Sequence, residues 1–187
     1  MTENVTDLKA RLRASALSHR SSALAKETAG AFGKMLLALC EQVDARRVGV
    51  YLSFGSEPAT DIFVMQAKAA GLFLAAPRIG SESSMEFLNL EGPLESTALG
   101  FLQPMGEAVD HNELDLIIAP ALSVDQQGIR LGRGGGFFDR YLADFSGSVA
   151  AVVYDTEFVS DLPDEPHDRA VDFAVTQSRI LKLHSTR

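Results

Sequence analysis

Residues 120 to 141 read Pro-Ala-Leu-Ser-Val-Asp-Gln-Gln-Gly-Ile-Arg-Leu-Gly-Arg-Gly-Gly-Gly-Phe-Phe-Asp-Arg-Tyr. Five glycines (Gly128, Gly132, Gly134, Gly135 and Gly136) fall within nine positions, and three arginines, Arg130, Arg133 and Arg140, lie among or just after them. Glycine lacks Cβ, so such a backbone can turn its N–H groups toward a ligand and let that ligand approach closely. The guanidinium fork matches pairs of phosphate or carboxylate oxygens. Glycine-rich loops are commonly just solvated connections. Here the arginines, in a chain of net charge −8, point instead to a cradle for a polyphosphate. It is not a Walker loop, because no Gly-Lys-Ser/Thr triplet occurs in the chain. Nor is it the dinucleotide fingerprint, which opens directly from the first strand of its unit.

The elements that must position this loop can be read on either side of it. Residues 114 to 119 form a short β-branched apolar run ending at Pro120, as a buried strand would. Residues 137 to 142 can form a helix, whose first turn would aim free amides and a positive dipole end at the same place. Further upstream, residues 47 to 53 read as the first strand, and the loop 54 to 58 at its C-terminal end carries Glu57. Taken alone, Glu57 is an ordinary loop acid.

Two helices are expected before that strand, over residues 4 to 24 with Asn4 as cap and over residues 22 to 43. The second carries Phe32, Met35, Leu36, Leu39, Cys40 and Val43 on one stripe, which is core packing. On the first, Lys9 and Arg13 are four apart and share a face, ordinarily a solvated cationic stripe. Thr60 or Asp61 begins a third helix running to Ala70, with Gly71 ending it. Short strands follow at 72 to 76, stopped by Pro77, and at 85 to 90. Residues 92 to 112 read as irregular, further strands are expected at 149 to 154 and 171 to 176, and the tail is polar. Strands alternating with helices predict an α/β fold, a three-layer α/β/α domain with a mostly parallel sheet, Rossmann-like in plan.

With 187 residues, 46% of them hydrophobic, the chain can bury one core, and one domain spanning residues 1–187 is expected. Its acidity argues against nucleic acid as a general partner. The charge is uneven: residues 1 to 50 carry eight Lys/Arg against five Asp/Glu (+3), and the remainder nine against twenty (−11). No apolar stretch approaches the roughly 20 residues of a membrane helix, and the N-terminus lacks the layout of a signal peptide. A cytoplasmic protein without membrane partners is expected, acting as a monomer or as a homodimer. Cys40, the one cysteine, precludes an internal disulfide and reads as a core residue.

Asp125, Gly128, Arg130-Leu131-Gly132, Gly134, Gly136 and Asp139 together resemble the signature of the 5-formyltetrahydrofolate cyclo-ligase family, also called methenyltetrahydrofolate synthetase, in spacing as well as residue type. The resemblance extends along nearly the whole chain. Lys9 and Arg13 match a Lys-x-x-x-Arg that in the family helps bind nucleotide phosphates. Leu52 and Glu57 match positions that line the folate pocket, and Pro77, Arg78, Met85 and Phe87 also resemble family positions. Asp168, which follows His167, matches an aspartate associated there with magnesium, as does Asp139. His111 and His184 receive no role. Three departures stand out. Phe137-Phe138 replaces Tyr-Tyr, Gly135 stands where some relatives have lysine, and Gln103 replaces a glutamate.

What the resemblance implies is the cyclo-ligase and sugar-isomerase-like arrangement of the fold, and an ATP- and Mg²⁺-dependent ring closure of 5-formyltetrahydrofolate to 5,10-methenyltetrahydrofolate with release of ADP and phosphate. It assigns nucleotide contacts to Lys9, Arg13, Arg130, Leu131, Gly132, Arg133, Gly134, Gly135, Gly136, Phe137 and Phe138. Folate contacts fall to Leu52, Glu57 and the Arg133 to Phe137 loop, and the metal to Asp139 and Asp168. Arg130 and Arg133 would be the catalytic cations. Two rivals stay open on the residues alone: a phosphosugar or acyl-transfer enzyme on a similar scaffold, and a nucleotide-binding relative without turnover. Release of ADP that depends on 5-formyltetrahydrofolate separates all three.

Overall fold

The computed structural model describes residues 4–80, 84–165 and 168–183. Asn4 caps α1 (Val5–His19) by accepting the Thr6 amide, and Ser21 caps α2 (Ser22–Gln42) by accepting the Leu24 amide. Between them the backbone at Arg20 is extended, with φ −87° and ψ 143°. The first helix therefore stops short of residue 24, because Ser21 draws the chain out of α1 to start α2. The stripe of α2 is core as expected, with Phe32, Leu36, Leu39 and Cys40 buried.

Twelve strands follow among the described residues, interrupted by two further helices. In chain order these are β1 (Arg47–Val50), α3 (Asp61–Ala69), β2 (Phe73–Ile79), β3 (Met85–Asn89), β4 (Leu94–Ser96), β5 (Leu102–Pro104) and β6 (Ala108–Val109). Then come β7 (Leu116–Pro120), β8 (Ser123–Val124), β9 (Arg130–Leu131), α4 (Phe137–Leu142), β10 (Ser148–Val152), β11 (Phe173–Val175) and β12 (Ile180–Lys182). Eight of the strands form one sheet in the order β12-β11-β10-β7-β1-β2-β3-β6. The five from β11 to β2 run parallel, and the edges are antiparallel.

Successive residues of a strand face opposite sides, and both sides are covered, which is why β7 reads as a continuous apolar run. Val48, Val50, Leu116, Ile118, Ala150 and Val152 face α2 and α3. Ile117, Val149 and Ala151 face the other way, against Leu142 of α4 and Phe145. The two helical layers are unequal, since α4 is only six residues long. A third cluster of Leu122, Ile129, Leu131, Leu162 and Ala170 receives Leu12 and Ala16 of α1.

Three expectations are corrected. Pro77 does not stop β2, which continues to Ile79. The β1 ladder ends at Ala75, so beyond it only β3 flanks the strand and a missing donor is tolerated. The stretch 92 to 112 is not irregular: β4 and β5 pair as a hairpin, β6 joins the main sheet, and a 3-10 turn occupies His111–Glu113. The tail contributes β12, antiparallel to β11.

The topology fixes where a ligand belongs. From β1 the chain moves to β2 on one side and returns to β7 on the other, so the β1–β7 boundary is a switch point. In open parallel sheets the loops leaving two such strands diverge and leave a crevice at their carboxyl ends. Here those loops are the Glu57 loop and the glycine loop.

Candidate active site

Asp125 and Gly128 of the signature build the scaffold beneath the loop. The Asp125 carboxylate, only 1% exposed, accepts the amides of Gln127 and Ile129 on one oxygen and that of Leu162 on the other. Gly128 has φ +85°, and a Cβ there would stand 2.5 Å from the Val171 carbonyl oxygen, so only glycine fits. This tight turn closes the β8–β9 hairpin, from which the glycine run departs.

Four cations then take fixed positions around the run. Arg13 reaches over from α1, its Nε donating to the Gly132 carbonyl at 2.9 Å, and its guanidinium lies against Gly134, whose φ is +97°. The side chain of Arg130 is almost wholly buried. It donates to Asp139 Oδ1 at 2.6 Å and to the Pro120 carbonyl at 3.3 Å, and it stands 5.6 Å from the centre of the Phe138 ring. Its Nε is buried without a hydrogen-bond partner among the described residues. Arg133, with its side chain 52% exposed, places both Nε and Nη2 2.9 Å from Glu57 Oε1. Lys9 is buried, with its ammonium 2.6 Å from Asp168 and 2.9 Å from Glu165. Burial alone would lower its pKa, but the hydrogen bonds and charges of Asp168 and Glu165 outweigh this and hold it above the usual lysine range.

The opposite wall is built on the loop after β1. Glu57 is buried, its Oε2 accepting the Phe54 amide. The loop is tied down by two phenols: Tyr51 donates to the Pro58 carbonyl at 2.6 Å, and Tyr154 to the Ser56 carbonyl at 3.2 Å. Glu57 is thereby preorganised to face the glycine run.

Between the walls lies a cavity of about 510 Å³. Leu52, Glu57, Arg130, Gly132, Arg133, Gly134, Gly135, Gly136, Phe137 and Phe138 all line it. Lys9, Arg13, Leu131, Asp139 and Asp168 do not; the four charged residues are paired with the partners described, and Leu131 packs into the third apolar cluster. Pro77 and Met85, noted in the sequence only as resembling family positions, also line it, whereas the roof was not read from the sequence. Phe54, Leu99, Phe101 and Leu102 roof the cavity from the β4–β5 hairpin and the loop facing it, with the Phe54 and Phe101 rings 6.3 Å apart edge to face. Arg20 and Tyr51 also form part of its wall. The signal available was a cluster of exposed apolar side chains around Gly100, a site for a hairpin turn. Gln103 is structural, its Oε1 accepting the Ile79 amide at 2.8 Å and thereby stitching β5 to β2.

The carboxylates can be tested against a metal. Among the described residues no group of three or more His, Cys, Asp or Glu is gathered to hold one. Mg²⁺ asks for less, one or two carboxylates completed by phosphate oxygens and water. Asp139, with one oxygen on Arg130 and its side chain 22% exposed, fits that requirement. Asp168 is engaged on Oδ2 by both the Lys9 ammonium and the Glu165 amide. His167 and His184 lie outside the described residues.

A mostly parallel sheet with a cavity at its switch point, walled on one side by a cationic glycine loop, defines an α/β scaffold of the kind that carries its site at the carboxyl ends of the strands. The comparisons with known proteins specify it. Residues 3–177 match the model of the 5-formyltetrahydrofolate cyclo-ligase family. The 5-formyltetrahydrofolate cyclo-ligase of Mycolicibacterium smegmatis is 33% identical over 185 residues, 91% of this chain and 94% of the relative. The Escherichia coli K12 protein of the same name is 30% identical over 148 residues, covering 74% of this chain and 81% of its own. Among solved structures, the 5,10-methenyltetrahydrofolate synthetase of Aquifex aeolicus superposes with a TM-score of 0.80 at 26% identity, covering 96% of this chain and 95% of the other. The chain belongs to the 5-formyltetrahydrofolate cyclo-ligase family, enzymes of folate metabolism.

Proposed function

We propose that this chain closes 5-formyltetrahydrofolate to 5,10-methenyltetrahydrofolate at the expense of ATP, with the triphosphate held by the glycine run and the folate in the cavity facing it. The observation that carries this reading is the Arg133–Glu57 contact at 2.9 Å, which brings the phosphate wall and the folate wall together.

The formyl group on the substrate nitrogen is amide-like, and its oxygen is a poor leaving group. In the proposed sequence that oxygen attacks the γ-phosphorus and the bond to ADP breaks. The second folate nitrogen then adds to the activated carbon, and the oxygen departs with phosphate as that nitrogen loses its proton. Little covalent chemistry falls to the protein; it must align the reactants and neutralise phosphoryl charge. The amides of Gly132 to Gly136, with Arg130 and Arg133, serve that purpose, backed by Arg13 and Lys9 from α1. Glu57 and Leu52 orient the folate, and the Phe137 and Phe138 rings offer stacking surface without phenol donors. Asp139 and Asp168 are the carboxylates that would hold Mg²⁺, which when bound neutralises phosphate oxygens.

The test is release of ADP from Mg·ATP by purified protein with and without 5-formyltetrahydrofolate, followed beside the absorbance of the methenyl product. The two products should appear in equal amounts and only when both substrates are present. ADP release indifferent to the folate would remove the reading.

A further inference from the structure

Arg20 is used by nothing so far assigned to the site, yet it forms part of the cavity wall. Its side chain is only 1% exposed. Nε donates to Glu157 Oε1 at 2.6 Å, and Nη2 donates to Glu157 Oε2 at 2.7 Å and also to the Ala121 carbonyl. The guanidinium carbon lies 5.5 Å from the centre of the Tyr154 ring. Glu157 is itself fixed, its Oε2 also accepting the Tyr154 amide at 2.9 Å. The fork is therefore immobilised through two of its three nitrogens. Nη1 alone has no partner among the described residues.

A buried ion pair is poor glue, since apolar side chains of similar volume commonly stabilise as well or better. An arginine held in one plane with one nitrogen unspent is what a recognition site needs, because the ordering of the side chain precedes ligand binding. Its neighbourhood indicates what it reads. The Tyr51 hydroxyl feels both the Glu57 and the Arg20 charges, and Tyr154 joins Arg20 to the Glu57 loop, so donor and acceptor occupy one end of the cavity. The surrounding wall is largely apolar, with Tyr51, Leu52, Ala121 and Leu122. A fixed donor beside a fixed carboxylate complements a flat heterocycle that carries a ring carbonyl next to N–H groups.

We propose that Arg20 is a specificity-determining residue, its Nη1 donating to the ring carbonyl oxygen of the 2-amino-4-oxo heterocycle of the folate while Glu157 and the Ala121 carbonyl hold the fork. This rests on the folate reading of the cavity. The test compares, by calorimetry, 5-formyltetrahydrofolate with the same compound carrying a 4-amino group in place of the 4-oxo. The unaltered protein should favour the oxo form by roughly ten- to hundredfold, the range for a hydrogen bond to a charged group. In Arg20→Met that preference should fall to about threefold or less, the hydrogen bond being lost, with Mg·ATP affinity unchanged. Arg20→Lys keeps a charge opposite Glu157 but lacks the second fork nitrogen, so it should lose the preference even if the methionine variant fails to fold. If neither folate form binds the unaltered protein, the folate reading itself fails. If the folate binds but the ratio is near one, or stays at its full value in Arg20→Lys, this inference alone is overturned.

Discussion

The two walls of the cavity are built on different principles. The glycine wall is backbone and charge, with its conformation dictated from beneath by Asp125, Gly128 and the Arg130–Asp139 pair. The β4–β5 wall is side-chain surface, with Leu99 left 77% exposed at its tip. A wall that positions charge fails when a single atom moves, whereas a wall that excludes water tolerates change. Substitutions on the two should therefore differ in size and in kind.

The largest expected effect is at Arg133. If it clamps phosphoryl charge, Arg133→Ala cuts turnover by on the order of a hundredfold or more, read as the rate of methenyl absorbance. Near-normal turnover would strip the glycine wall of its electrostatic role. Asp125→Ala orphans three amides in a buried turn and should destabilise the fold by about 2–4 kcal/mol, visible in the denaturant midpoint. Gly134→Val forces a β-branched residue to φ +97° against Arg13, and Mg·ATP affinity should drop about tenfold, corresponding to the strain of a non-glycine residue there. On the other wall, Leu99→Ser should raise the folate KM only about threefold with kcat unchanged, as for loss of part of one apolar contact. A large kcat loss there would erase the contrast between the walls. Far from both, Cys40 has its thiol pKa pushed up to about 12 by burial, so alkylation at pH 8 should leave the folded protein unmodified.

The same contrast decides what the sequence could reveal. Glycines and arginines packed into nine positions announce a site because no ordinary loop needs both, and Arg130 and Gly132 to Phe138 line the cavity while Leu131 and Asp139 of the same stretch do not. The strands around it were legible because burial on both faces of a parallel sheet leaves unbroken apolar runs such as Leu116 to Ala119. The hairpin was not. Its two strands are three residues each, too short for alternation to emerge from a segment broken by Pro93, Gly100 and Pro104. Arg20 was invisible for another reason. It lies where α1 ends, and its partner Glu157 is 137 residues away, a pairing that no local pattern encodes. The pairing of Lys9 with Asp168, 159 residues apart, escaped for the same cause.

The Asp125 carboxylate has a consequence for how the molecule is made. It clasps an amide 37 residues downstream, at Leu162, and Val171 donates to the Gly128 carbonyl of the same turn. During synthesis the whole signature from Asp125 to Asp139 thus leaves the ribosome before its anchors exist. A nascent chain arrested just short of residue 162 should carry the whole Asp125 to Asp139 signature and yet bind no Mg·ATP, gaining that ability only when roughly the last seventh of the polypeptide arrives.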